Sequence, residues 1–281
     1  DLLAALTGKE VAITGSLNGV VNATGKTDNP DVQLSLDLEG PTYNGVKMDH
    51  VYAMVTMKDW QIRIRQFLVQ RGTYKGTIYG QAPFSAIFPK YEVGEDRNVN
   101  LKVNLSEAGL GVLPLLNPAI TAGEGPLDGI VEITGPLDNL QAKGTVSVTN
   151  GSLTFKGVKK PLERISGSMI LSGQAGTINF SGQMGKGTAT VKGEADWTGG
   201  PLHTYHLEAN SNGLEMDSAY FKGPLDAQIS ITSGQELPLI KGILDLHDVT
   251  MDIPLVFASE ESDFDASLDV EVKAGKNVRF Y

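Results

Sequence analysis

The sequence predicts an all-β protein assembled from repeated modules of several strands. Three observations carry that reading: period-2 alternation along most of the chain, 33 glycines in 281 residues, and a long internal repeat. Val32, Leu34, Leu36 and Leu38 alternate with Gln33, Ser35 and Asp37. Ile62 and Ile64 alternate with Arg63 and Arg65, and Val99, Leu101, Val103 and Leu105 with Asn100, Lys102 and Asn104. Leu268, Val270 and Val272 alternate with Asp269, Glu271 and Lys273. Side chains alternate across a strand, so each run has one apolar and one polar face. Roughly 20 such segments are separated by Gly, Asn, Asp or Pro.

The repeat is read directly from the residues. Gly15-Ser-Leu-Asn-Gly-Val-Val-Asn-Ala-Thr-Gly25 matches Gly125-Pro-Leu-Asp-Gly-Ile-Val-Glu-Ile-Thr-Gly135, an offset of about 110 residues (125 − 15). Asp28-Asn29 then falls over Asp138-Asn139, in turns that suit Asp and Asn. A third copy begins at Gly223-Pro-Leu-Asp, with Ile229 and Ile231 over Val131 and Ile133. The expected modules are 1–105, 125–222 and 223–281. Residues 106–124 form a linker that reads either as an apolar loop or as a short helix over Ser106–Asn117, N-capped by Ser106.

Strands with one apolar face must cover it. A second sheet, a closed barrel wall, or a single sheet bent into an open trough would each do so, and the alternation by itself favours the closed forms. Gly80, Gly144, Gly167 and Gly193 interrupt strands where a sheet could bend. At about 4.8 Å per strand, roughly 20 strands would make a trough on the order of 90 Å long.

Composition excludes several functions. The net charge of −10, with no Lys/Arg stripe, argues against nucleic acid and anionic membrane surfaces. Without cysteine there is no disulfide, thiolate metal site or cysteine nucleophile. His203 and His206 form an H-x-x-H, but on a strand they point to opposite faces, which does not suit a shared metal. His50 and His247 stand alone at strand edges. Glu260, Glu261, Asp263 and Asp265 read as a solvated acidic loop that lacks EF-hand spacing. Gly185-Lys186-Gly187-Thr188 reads as a hairpin turn rather than a phosphate loop. Trp60 and Trp197 are expected at strand ends. No catalytic constellation emerges, so neither an enzyme nor a cofactor is expected. The chain opens at Asp1 and stops at Tyr281 within strand-like sequence, as expected of an excised piece with raw strand edges.

Two stretches resemble the TamB branch of the AsmA-like envelope proteins. One comprises Leu113-Pro-Leu-Leu-Asn-Pro118, Gly125-Pro-Leu-Asp-Gly-Ile-Val-Glu-Ile-Thr-Gly-Pro-Leu-Asp-Asn-Leu140, Gly144-Thr-Val-Ser-Val-Thr-Asn-Gly-Ser-Leu-Thr-Phe-Lys-Gly157 and Leu162-Glu-Arg-Ile-Ser-Gly-Ser-Met-Ile-Leu-Ser-Gly173. The other is Leu268-Asp-Val-Glu-Val-Lys-Ala-Gly-Lys-Asn-Val-Arg-Phe-Tyr281. The resemblance implies an elongated antiparallel sheet curled into an open U-shaped groove, the β-taco. It implies a periplasmic segment of a protein anchored in the inner membrane. That protein would move phospholipid toward the outer membrane, with an Omp85-type barrel of the TamA kind as partner. Family membership supplies no catalytic residues and no metal.

On this reading the groove lining for acyl chains comprises Leu34, Leu36, Ile62, Ile64, Leu101 and Val103 in the first module. Val146, Val148, Ile170, Ile178 and Phe180 line it in the second, and Leu244 and Leu246 in the third. A charge at mid-groove, Val148→Arg, is expected to block transport while sparing the fold more than it would in a sealed core. A structural or adhesive stalk with a dry core, and a lipopolysaccharide bridge of the LptA type, are the competing readings.

Overall fold

A computed structural model describes residues 13–43, 46–91, 93–198, 204–234, 237–252 and 266–281. Strand accounts for 75% of the described residues and helix for 4%. The strands form one long mixed sheet of 19 strands that is not closed into a barrel. This agrees with the open-sheet expectation and not with a barrel or a two-sheet sandwich.

The chain divides into two units. The first holds Asp1–Pro118, Pro126–Val146 and Leu171–Gly173, and the second Ala119–Gly125, Ser147–Ile170 and Gln174–Tyr281. In the first unit, β1 (Ile13–Lys26), β2 (Asn29–Tyr43), β4 (His50–Lys58), β5 (Gln61–Arg71), β6 (Tyr74–Pro83), β7 (Asn98–Gly109) and β9 (Pro126–Pro136) pair antiparallel in that order. The short β3 (Val46–Lys47) pairs with the end of β2.

In the second unit, β8 (Ile120–Glu124) pairs with the far half of β10 (Gln141–Phe155). β12 (Ala175–Met184), β13 (Gly187–Asp196), β14 (Thr204–Asp217), β15 (Phe221–Thr232) and β16 (Leu239–Leu246) continue antiparallel. β11 (Leu162–Gly173) precedes β12 in the chain. The expectation of a wholly antiparallel sheet needs correction. β16 pairs with β18 (Ser267–Ala274) in parallel, as does β17 (Thr250–Met251) with β19 (Arg279–Phe280). Residues 247–266 separate β16 from β18, a connection long enough for the crossover that a parallel return requires.

The expected helix shrinks. β7 runs through Ser106 to Gly109, with Ala108 opposite Leu127. A 3-10 turn at Leu110–Val112 and one helical turn, Leu113–Leu116, follow without a side-chain cap. Ser106 therefore caps nothing. The second short helix, Phe84–Ile87, was not expected.

A bulge keeps the hydrophobic pattern in phase. In β5, Ile62 and Ile64 are followed by Phe67 and Val69, one residue out of step. Gln66 pairs with Met54 but Ile64 with Val55, which leaves Arg65 as the extra residue. The next ladder shifts at the same place, between Ile64 and Phe67. The bulge puts both halves of β5 on one face. Deleting Arg65 leaves Ile62, Ile64, Phe67 and Val69 in strict alternation, so the apolar face is expected to survive and stability to change by no more than about 1 kcal/mol. Denaturant unfolding measures the change, and a loss of several kcal/mol would show that the bulge does more than absorb the extra residue.

Candidate functional site

The strand register sorts the first unit into two chemically opposite faces. On one face, directly paired residues form an unbroken row: Val21, Leu34, Val55, Ile64, Gly80, Leu101 and Ile133. A second row runs Gly19, Leu36, Ala53, Phe67, Ile78, Val103 and Val131. Ile62 lies in a third, between Met57 and Ala82. The other face carries Asn22, Gln33, Thr56, Arg63, Gln81, Asn100 and Thr134 in one register line. Val146 lies beside Gly129, close to its backbone.

The second unit repeats this division. Phe180, Val191, Ala209, Ile229, Gly242 and Val270 form one apolar row. Ile178, Gly193, Leu207, Ile231, Ile240 and Leu268 form the next. Leu244 lies between Ala227 and Val272, and Leu246 between Leu225 and Ala274. Behind them run Asn179, Lys192, Glu208, Ser230, Lys241 and Asp269, with the Lys241 ammonium 3.3 Å from Asp269.

In the first unit, burial differs along the strands. Leu34, Leu36, Ile64, Leu101 and Val103, at mid-strand, are only half-buried. Near one end Ile62 is 5% exposed, and Ala82 and Val99 are buried as well. There Trp60 meets Phe84 edge-on at 5.5 Å, and Phe84 stacks on Phe88 at 4.6 Å. Toward the other end, Leu110 is buried, and the buried Met48 and Ala108 border a small cavity together with Tyr74 and Leu115. The unit thus has covered margins and a half-open apolar middle. No side chain in its first two rows carries a charge.

One lining residue is placed differently from the expectation. A Cβ on Gly167 would meet Phe180, which puts Gly167 on the apolar face together with the buried Ile165. Strand parity then turns Ile170 to the opposite face, where it is 50% exposed. Met169-Ile170-Leu171 is a continuous apolar run, so its sequence holds no phase information. Val148 is buried, at 5% exposure. Sequence reasoning missed Val55, Phe67, Ile78, Leu207 and Ile229. Val55 and Phe67 sit in runs apolar at successive positions, Ala53-Met54-Val55 and Phe67-Leu68-Val69, whose facing only strand pairing settles.

Each of the three described histidines lies against a carboxylate. His50 Nε2 lies 2.6 Å from Asp37 Oδ1, His206 Nε2 3.3 Å from Glu208, and His247 Nδ1 3.4 Å from Asp226. His203 and the acidic cluster of Glu260, Glu261, Asp263 and Asp265 lie outside the described residues. Among the described residues, no cluster of three His, Asp or Glu side chains could hold a metal. Gly185-Lys186 is the turn between β12 and β13. Trp60 stands at the β4–β5 turn, and Trp197, just after β13, donates its backbone N–H to the Gln174 carbonyl.

Lys160 donates to Glu215 at 2.5 Å, and Lys159 to Asp217 at 2.9 Å. The Lys160 hydrogen bond, helped by the Lys186 backbone N–H, holds the Glu215 carboxyl below the ordinary glutamate range. A depressed carboxylate stabilises the folded state above its unfolded pKa, and that contribution is lost as pH falls through the lower, folded value. Replacing Lys160 by Met is expected to raise the Glu215 titration midpoint toward that of a free glutamate. A carboxyl NMR titration reads it, and an unchanged midpoint would rule out Lys160 as the cause.

No protein-family model, curated protein or solved structure matches this chain.

Proposed function

We propose that this chain is a periplasmic segment of a bridge-like protein that moves phospholipid between the inner and outer membranes, with acyl chains lying against its apolar face. The observation that carries the reading is the pair of uncharged, in-register apolar rows in the first unit, half-open to solvent along their middle. Aliphatic rows bind by area, about 0.8 kcal/mol per buried methylene, and need no directional partner. An uninterrupted row sets no polar barrier against an acyl chain moving from one strand to the next. Headgroups would stay in water beside the face.

The likeness to the TamB branch of the AsmA-like proteins carries the rest. It points to an inner-membrane anchor in the parent protein and to an Omp85-type barrel as outer-membrane partner. The role is transport without catalysis.

The test is an organic extract of the purified chain, analysed by mass spectrometry. Phospholipid in stoichiometric amount is expected. Lipopolysaccharide instead would turn the reading to an LptA-type bridge. A folded chain that extracts clean would replace it with a dry structural stalk.

A further inference from the structure

The bulge in β5 accommodates a residue that the hydrophobic pattern does not need, because Ile62, Ile64, Phe67 and Val69 would alternate strictly without Arg65. In the β4 ladder Arg65 is skipped between Ile64 and Gln66, and in the β6 ladder Arg65 and Gln66 together face Tyr79. The extra residue places a second arginine beside Arg63. Bulges recur next to functional sites because they re-aim a side chain.

Arg63, Arg65, Tyr79, Gln81 and Asn100 border one open recess, lined also by Gly80. Arg63, Gln81 and Asn100 are paired directly across β5, β6 and β7, in the polar register line of the first unit. Both arginines are exposed, as is Tyr79. Among the described residues, none of these five side chains has a hydrogen-bond or ion-pair partner. The neighbouring carboxylates are already matched: Glu132 lies 3.2 Å from the Lys102 ammonium, and Asp31 3.9 Å from that of Lys58. The recess therefore holds two unbalanced positive charges in a chain whose net charge is −10. Around them stand a hydroxyl and two amides able to donate hydrogen bonds.

A cation would be repelled there, and an apolar ligand would bury little area in so open a recess. A carboxylate has one charge and two oxygens, enough for one guanidinium fork, and leaves the second arginine unbalanced. A phosphate group carries more charge and offers further oxygens, which match two forks and the neighbouring donors. We infer that this recess binds a phosphate group between Arg63 and Arg65. The inference stands apart from the proposed lipid function. The recess lies on the polar face, and the sheet itself separates it from acyl chains on the apolar rows.

The test is a titration of the whole chain with inorganic phosphate, at constant ionic strength set with chloride and followed by NMR. The Nε–H signals of Arg63 and Arg65 are expected to shift together and saturate. Those of Arg71 and Arg164, which already donate to the Gly111 carbonyl and to Gln183, should stay in place. Arg63→Gln and Arg65→Gln should each weaken binding about tenfold with an unchanged circular dichroism spectrum. Lys192→Gln, which removes one exposed charge from the second unit, should leave it unaltered. Two further probes separate the sources of the phosphate, and either one responding supports the site. Saturable binding of glycerol 3-phosphate indicates a soluble ester. Flotation with phosphatidylglycerol vesicles, lost in Arg63→Gln, indicates a lipid headgroup. An unsaturable shift shared by all the arginines overturns the inference. So does full affinity in both Gln variants, or acetate binding as tightly as phosphate.

Discussion

Gly80→Ala is expected to destabilise the first unit by about 3–5 kcal/mol. Gly80 has φ +131°, and a Cβ there would run into the Asn100 carbonyl oxygen and lie 2.9 Å from the Leu101 Cα. Both obstacles are backbone of the neighbouring strand, so no side-chain rotation relieves them. β6 and β7 would have to separate, weakening the Gly80–Leu101 pairing at the centre of an apolar row. Gly72 is the control. Its φ is +60°, but nothing lies within 4 Å of its added Cβ. Gly72→Ala should cost only the left-handed backbone penalty, about 1–2 kcal/mol. Urea unfolding followed by circular dichroism compares the two. Equal small losses would mean that β6 and β7 do not approach as closely as described. Gly144 and Gly167 meet the Ile130 and Asn179 carbonyls in the same way, so the device recurs.

Leu101→Arg is expected to cut co-purifying phospholipid at least tenfold while leaving a folded chain. Leu101 is half-buried between Gly80 and Ile133. A long arginine can lie along the face and lift its guanidinium to water, so stability should fall by only about 1–2 kcal/mol. The charge still interrupts a row otherwise free of charge, which is where an acyl chain would lie. Val148→Arg is the weaker probe, contrary to the expectation from sequence. At 5% exposure its charge has no route to water, and burying it unpaired costs about 3 kcal/mol or more. That variant should lose fold and lipid together. Phospholipid bound to Leu101→Arg at the wild-type level would remove the apolar face as the lipid site.

The apolar face was partly legible before any coordinates. Where alternation is strict, as over Val32–Leu38 and Val99–Leu105, parity assigns the face and the strand pairing agrees. Legibility failed in runs apolar at successive positions. Ile170 sits in such a run and faces away from Ile178 and Phe180. It also failed across bulges, since Phe67 is out of phase with Ile64 until Arg65 is looped out. The helix around Ser106–Asn117 was overextended because Leu110, Leu113 and Leu116 share a helical spacing. Pairing of Ala108 with Leu127 outweighs that weak local preference.

By itself the sequence determined the strand content, the repeat and the two-faced chemistry, because side-chain alternation and glycine placement are local properties of an extended backbone. Only the tertiary structure decided that the strands join in one sheet that does not close into a barrel, and that β18 returns parallel to β16. It alone aligned residues far apart in the chain, such as Leu34, Ile64 and Leu101, into one row. Those outcomes depend on which backbone amides meet across strands, and any one strand's sequence is compatible with several partners and registers.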